Sequence, residues 1–194
     1  MKAIESATAF LTSKFRMAAS LGVLLLAAVA VAHDDKDRDR NEHANHPPKV
    51  PVDLQVPAGN EVAFRLKGVG VQIYVWTQST VDPTKFSWVL KAPHAVLLHH
   101  DDILGIHFGG PTWQGNDGSK VVATRINGVT VDADAVPWLL LKATSNVGPG
   151  IFADITYIQR VKTDGGLAPV QPGAVVGQEV LVPYDADYYF YRAK

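Results

Sequence analysis

EVAFRLKGVGVQIYVW, residues 61–76, is the stretch that decides the fold of this chain. Its first seven residues place Val62, Phe64 and Leu66 on one face and small or charged side chains on the other. This two-residue period predicts a half-buried β-strand. Residues 69–76 are apolar on both faces, which is typical of a strand inside a sheet. The stretch therefore predicts β-sheet structure.

The same period recurs along the chain, with turn residues between the runs. Strands are predicted at 86–91, 95–99, 104–108, 120–126, 138–143, 151–163, 179–183 and 186–192. Turns are predicted at 109–111, 116–118, 127–128, 148–150, 164–166 and 172–173, where glycine, proline, asparagine and aspartate cluster. About ten short strands separated by turns predict an all-β, single-domain fold, either a β-sandwich or a closed barrel. We expect this β domain to occupy residues 50–194.

The N-terminal 32 residues have the pattern of a signal peptide. Basic residues at positions 2, 14 and 16 precede the apolar run 21–31, and Ala30-Val31-Ala32 forms a small-x-small cleavage site. We expect cleavage after Ala32 and export to the periplasm or the extracellular space. The apolar run is shorter than a membrane span requires, and no later segment is long and apolar enough, so no integral membrane segment is expected after cleavage.

Residues 33–49, HDDKDRDRNEHANHPPK, contain no large apolar side chain and alternate in charge sign. Such a segment cannot bury enough surface to offset its ordering entropy, so it is predicted to be a disordered charged tether.

Composition excludes several classes of function. The sequence contains no cysteine, which excludes disulfides, thiolate metal sites and thiol nucleophiles. Removal of the first 32 residues takes away three of the 18 basic and one of the 19 acidic residues, which leaves a formal charge of −3. This charge gives no net attraction to nucleic acid, and no nucleic-acid partner is expected.

Several phrases of the domain, in order, resemble a known uncharacterised family, domain of unknown function 3455. The phrases are GVGVQIY (68–74), HFGGPTW (107–113), DGSKV (117–121), VPWLLL (136–141), YIQRVKTDGG (157–166) and VPYDADYYFY (182–191). The resemblance implies a secreted or envelope-associated protein and supplies no activity or cofactor.

The chain departs from this family at two positions. Members carry one cysteine shortly after the QIY phrase and another before the VPY phrase, whereas this chain has Trp76 or its neighbour and the 173–174 region at those places. The joint loss is what a disulfide linking the two positions would predict. The resemblance therefore implies that the strand carrying Trp76 lies near the segment carrying Ala174.

The residues do not favour a dehydrogenase. A dinucleotide-binding fold needs a glycine-rich turn that opens a helix after a strand. Here Gly68-Val69-Gly70 lacks the third glycine and runs directly into a β pattern.

Histidine is the first candidate for site chemistry. Three histidines lie in the tether and four lie at 94, 99, 100 and 107, and the segment His99-His100-Asp101-Asp102 offers ligand types that suit zinc or copper. On a strand His99 and His100 would point to opposite faces, so they could not bind one ion without a bend. A solvated surface turn is the favoured interpretation, and any metal remains unassigned.

Ser119 with His107 and Asp117 supplies the residue types of a catalytic triad, but the serine lacks the G-x-S-x-G elbow. Asp117-Gly118-Ser119 is interpreted instead as a hairpin turn, in which Asp117 accepts backbone N–H groups and Gly118 has positive φ.

The best candidate for a functional surface is the region from His107 to Ser119. Gly109-Gly110-Pro111 predicts a special backbone path, and Trp113 is predicted on the loop that follows, beside polar groups that suit small-molecule recognition. His107 is taken as the group there that can change charge near neutral pH. The alternative is that Trp113 packs in the core and His107 is structural. The predicted ligand-binding residues are His107, Gly110, Trp113, Asp117, Ser119, Gln159 and Arg160.

Near the C-terminus, strand alternation places Tyr189 and Tyr191 opposite Tyr188 and Phe190, so one pair is predicted in the core and the other more exposed.

The function favoured by these features is a non-catalytic envelope or extracellular module that binds a glycan or another small polar ligand. Two alternatives stay open. One is a secreted hydrolase or metal-dependent enzyme that uses His107, and the other is a structural envelope protein.

Overall fold

The computed structural model describes residues 46–194, and all of them fall in one compact unit. The predicted signal peptide and residues 33–45 of the predicted tether lie outside this range. A single antiparallel sheet closes on itself as a barrel, with each strand paired to its neighbours in sequence and β1 paired to β8. The strands are β1 (Asn60–Gln78), β2 (Phe86–His99), β3 (Asp102–Phe108), β4 (Thr112–Gly115), β5 (Lys120–Val129), β6 (Trp138–Val147), β7 (Ile155–Gly165) and β8 (Glu179–Ala193).

The all-β prediction is confirmed, and of its two architectures the barrel is the one found. The described residues form eight strands rather than about ten. Three pairs of predicted short strands each merge into one long strand, β1, β2 and β8, and the short strand β4 was not predicted. In β1 the merger passes through Gly68, where a Cβ atom would lie 2.5 Å from Cε2 of the Tyr188 ring. The glycine between the two predicted strands therefore leaves room for a neighbouring side chain and does not end the strand.

Several local predictions need correction. Asn127-Gly128 is not a turn but lies inside β5, beside a register irregularity between Arg125 and Asn127. The segment after Pro111 is not a loop, since Thr112–Gly115 forms β4. The strand predicted to start at residue 151 begins at Ile155.

A second apolar layer lies outside the barrel. Tyr189 and Tyr191 do face away from Tyr188 and Phe190, as alternation predicted. However, both pairs are buried, because Val50 and Val56 of the N-terminal segment pack over the outer face of β7 and β8. This segment also contains the described 3-10 helix, Val52–Leu54. The expected difference in exposure between the two pairs was therefore wrong.

The proximity implied by the missing cysteines is confirmed. A Cβ atom on Gly173 would lie 2.5 Å from Cγ of Trp76. The backbone N–H of Trp76 also donates to the carbonyl oxygen of Gln178, at 2.8 Å. The segment before β8 thus lies directly against the strand that carries Trp76.

The barrel wall is uneven in height, and this unevenness positions the candidate site. The β3–β4 hairpin is short, so β2 pairs with β3 only from Ala95 onward and β5 pairs with β4 only up to Val122. Residues 86–94 and 123–129 extend beyond the hairpin with one paired neighbour each. The wall therefore has a notch between these two segments, and the turn at 109–111 forms the lower edge of the notch.

Residues 46–194 contain no helix with the length and apolar character that a membrane span requires.

Candidate functional site

A cavity of about 210 Å³ opens at the notch and reaches into the barrel. It is enclosed by residues of all eight strands and by the β3–β4 turn. Its lining residues are Gln72, Leu90, Lys91, Ala92, Pro93, His107, Gly109, Gly110, Pro111, Trp113, Arg125, Leu139, Leu141, Arg160 and Tyr188. In another part of the barrel core, the rings of Phe64, Phe152 and Phe190 contact one another.

Three aromatic rings form the inner wall of the cavity. His107 and Trp113 face each other directly across β3 and β4, so both side chains lie on the same face of the sheet. Their rings stack with centroids 4.3 Å apart and an interplanar angle of 9°. Tyr188 meets both rings edge-on, at 5.2 Å from His107 and 5.6 Å from Trp113. The result is a tightly packed aromatic cluster at the wall of the cavity.

The hydrogen bond of His107 fixes its tautomer. Its Nδ1 lies 2.8 Å from the carbonyl oxygen of Thr112, which can only accept, so Nδ1 carries the proton and donates. The pKa of His107 is lowered to about 3, chiefly by burial; the hydrogen bond to the Thr112 carbonyl opposes this shift, and the nearby charge of Arg160 adds to it. The ring is therefore neutral near neutral pH. The prediction that His107 changes charge there is wrong, because the side chain is only 2% exposed.

Two buried polar side chains in the cavity wall have atoms with no hydrogen-bond partner in the described part of the chain. These are both amide atoms of Gln72 and the indole Nε1 of Trp113. Each of the two residues is 1% exposed. Buried polar groups are nearly always hydrogen-bonded, so such atoms mark positions where a further group is expected to bind.

The cavity also gathers positive charge. Arg160 is paired directly with Tyr188, and its Nε and Nη2 both donate to the carbonyl oxygen of Pro137, at 3.2 and 2.8 Å. Arg125 lies at the rim, with its guanidinium over Gly128. Neither arginine has an ion-pair partner among residues 46–194. Lys91, by contrast, pairs with Glu179 at 2.5 Å.

Four of the seven predicted site residues, His107, Gly110, Trp113 and Arg160, meet in this cavity. Gly110 has φ +110°, the unusual backbone path that the sequence predicted. Gln159 does not line the cavity, because it precedes Arg160 on β7 and faces outward. There its Nε2 donates to the carbonyl oxygen of Leu54 at 2.6 Å.

Asp117 and Ser119 also lie outside the cavity lining, in the β4–β5 turn. Oδ1 of Asp117 accepts from the backbone N–H of Ser119 at 2.9 Å and from its hydroxyl at 2.6 Å, and Gly118 has φ +84°. The hairpin-turn interpretation is therefore confirmed. Oδ2 of Asp117 accepts from the N–H of Ile151, and the Ser119 hydroxyl accepts from the N–H of Phe152. The pair thus joins the β4–β5 turn to the β6–β7 loop.

These hydrogen bonds give Asp117 a structural role, and its replacement should change the free energy of unfolding. The hydrogen bond to the Ser119 side chain, followed by those to backbone N–H groups, lowers the pKa of its carboxyl. We expect Asp117→Ala to lower the free energy of unfolding by about 1–2 kcal/mol, since one acceptor of three hydrogen bonds is lost. Urea unfolding of the variant measures this. The exposed Asp154, in the neighbouring loop, is the matched control, and equal effects of the two alanine substitutions would contradict the structural role.

The histidine-rich segment does not form a metal centre in the described chain. Residues 46–194 contain no group of three or more histidine and carboxylate side chains placed to hold an ion. His100 has φ +55° at the β2–β3 turn, and this bend brings its ring to 4.4 Å from the ring of His99. His33 and His43 lie outside the described residues.

Sequence reasoning missed Gln72, Arg125 and Tyr188 as site residues. A signal for Gln72 was available, since it is the one strongly polar side chain in the otherwise apolar run 69–76. A buried amide in such a run needs partners. Arg125 gave no comparable signal, because it occurs in an ordinary polar–apolar alternation.

These features define the protein as an antiparallel β-barrel of eight strands with a cavity that opens through its wall. Residues 98–192 match the model of the family described as "Protein of unknown function (DUF3455)", which confirms the resemblance. The match includes β3 to β8 and most of the cavity wall, whereas the phrase at 68–74 precedes it. No curated protein and no solved structure matches the chain.

Proposed function

We propose that this protein is a non-catalytic binding module that holds one small molecule in the barrel cavity. The observation that carries the proposal is the set of unpartnered buried atoms of Gln72 and Trp113 in the wall of an open cavity. Small-molecule sites typically combine an apolar lining with a few polar groups that fix orientation. An eight-stranded barrel is also the size at which the interior can hold a small ligand.

The cavity volume supports a compact ligand. A cavity of about 150 Å³ is large enough for benzene, and this one measures about 210 Å³. The ligand in this proposal is therefore a single ring with a polar substituent, or a single sugar unit, rather than a long glycan chain. Such a ring would pack against the aromatic part of the lining, which is formed by His107, Trp113 and Tyr188.

The site of action in this proposal is the periplasm or the extracellular space. Its support comes from the N-terminal sequence alone, in which a basic start, an apolar run and Ala30-Val31-Ala32 follow one another.

The enzyme alternative has weaker support. The Ser119 hydroxyl is engaged by Asp117 and by the N–H of Phe152, while His107 donates to the carbonyl oxygen of Thr112. A catalytic triad would require His107 and Ser119 to be hydrogen-bonded to each other. A purely structural protein would have no reason to retain unpartnered polar atoms in an open cavity.

Native mass spectrometry of the protein purified from its own host tests the proposal. We expect a retained small molecule, released on denaturation. Ala92→Trp should abolish retention by placing an indole in the cavity mouth, whereas Val89→Trp adds the same ring at an exposed position of β2 outside the lining. Equal retention by both variants would place the ligand elsewhere and contradict a cavity site.

A further inference from the structure

The polar residues of the lining are rich in donors. Arg160 and Arg125 bring two positive charges, and the unpartnered atoms of Gln72 and Trp113 include two donor nitrogens, Nε2 of Gln72 and Nε1 of Trp113. The cavity lining within residues 46–194 contains no carboxylate, and the third cation, Lys91, is already paired with Glu179. The lining therefore offers an excess of donors and of positive charge.

Arg160 is the deepest of these charges. It lies beside Tyr188 in the direct cross-strand pair, close enough to the His107 ring for its charge to act there. A guanidinium has five N–H donors in a planar fork. Nε and one donor of Nη2 are used on Pro137, and a further side-chain hydrogen bond links Arg160 to Tyr188. Arg160 is partly buried, and placing a cation among neutral groups, partly out of water, carries a cost that a nearby anion and further hydrogen bonds reduce. A bound anion would supply both.

The rest of the lining specifies what the anion is attached to. Leu90, Ala92, Pro93, Pro111, Leu139 and Leu141 are apolar, and the inner wall is aromatic. A free inorganic ion would leave this surface uncovered. A cavity of about 150 Å³ holds benzene, and the roughly 210 Å³ available here is enough for a ring with one small substituent.

We propose that the cavity binds a small aromatic carboxylate, whose ring packs on Trp113 and whose carboxylate accepts hydrogen bonds from Arg160 and Gln72. The planar carboxylate fits the guanidinium fork in a bidentate manner, and the ring that carries it covers the apolar lining that a free phosphate would leave uncovered. This inference rests on the proposed function, because it names the ligand class of the same cavity.

Isothermal titration of the full-length protein at pH 7 with benzoate, benzamide and inorganic phosphate tests the proposal. Benzoate should bind at least tenfold more tightly than benzamide, which has the same shape without the charge, and more tightly than phosphate, which has the charge without the ring. Arg160→Met should weaken benzoate binding about 10- to 100-fold, the equivalent of one charge-assisted hydrogen-bonded pair, and remove the preference over benzamide.

Two further variants keep the test decisive if Arg160→Met does not fold. Gln72→Leu removes an amide that has no partner to lose in the described chain, so it should fold normally and weaken benzoate binding several-fold. Arg65→Met is the matched control, because Arg65 lies 3.6 Å from Asp187 on the outer face and should leave benzoate affinity unchanged.

The proposal is overturned if benzoate does not bind, if benzamide or phosphate binds as tightly as benzoate, or if neither Arg160→Met nor Gln72→Leu changes benzoate affinity. These results are distinct from a failure of the proposed function. A neutral molecule retained by the native protein and lost in Ala92→Trp would support cavity binding and overturn the carboxylate assignment.

Discussion

Replacing Trp113 by alanine is expected to lower the free energy of unfolding by about 3–5 kcal/mol, the range for large-to-small changes in a core. Trp113 is 1% exposed and belongs to the main hydrophobic cluster. It stacks on His107 and meets Tyr188 and Phe190 edge-on. Its removal would leave a void that joins the existing cavity, and the rigid strands around it cannot collapse to fill that void.

Urea or thermal unfolding measures this effect, and Trp113→Phe separates packing from binding. Phenylalanine keeps an aromatic ring in the core but loses the unpartnered indole N–H. Under the proposed function Trp113→Phe should retain most of the stability and bind the ligand more weakly. A loss below about 1 kcal/mol in Trp113→Ala would contradict the packing role, since surface substitutions fall in that range.

The second large effect is a loss of stability in acid caused by His107. In the unfolded chain a histidine has a pKa near 6.5, whereas burial lowers the pKa of folded His107 to about 3. Below pH 6.5 the unfolded state therefore binds a proton that the folded state excludes. The contribution is present above pH 6.5 and is lost as the pH falls toward 3, at up to about 1.4 kcal/mol per pH unit.

Unfolding measured in urea between pH 7.5 and 4 tests this expectation. His107→Asn retains a side-chain donor for the Thr112 carbonyl but cannot titrate, so its stability should fall less steeply than that of the native protein. Between pH 7 and pH 4.5 the native protein should lose about 2–3 kcal/mol more of its unfolding free energy than His107→Asn does. His94→Gln, an exposed position on β2, is the control for a histidine that is not buried. Parallel curves for native protein and His107→Asn would refute the assignment of this acid sensitivity to His107.

The candidate site shows where sequence reasoning succeeds and where it stops. Gly109-Gly110-Pro111 identified the correct turn because its glycines are a local backbone signal, and Gly110 does have positive φ. Gln159 and Arg160 were predicted together, but they are adjacent on one strand and so face opposite sides of the wall. Only the burial of each face shows which of them reaches the cavity.

A similar limit applies to the outer face of β7 and β8. Alternation separated Tyr189 and Tyr191 from Tyr188 and Phe190 without error. It could not reveal that Val50 and Val56 cover the first pair, since that contact joins segments more than 130 residues apart in sequence.

The sequence by itself determined the all-β class, the positions of several turns, the Asp117-Gly118-Ser119 hairpin and the family, because period-2 patterning, turn chemistry and motif order are local properties of the chain. The tertiary structure alone decided that the sheet closes as a barrel, since closure depends on the register summed around all eight strands, from β1 to its pairing with β8. It also decided that Gln72, His107, Trp113, Arg125 and Arg160 share one cavity. These residues come from five different strands, and they converge because the β3–β4 hairpin is short. No local sequence pattern shows how a short hairpin affects the strands beside it.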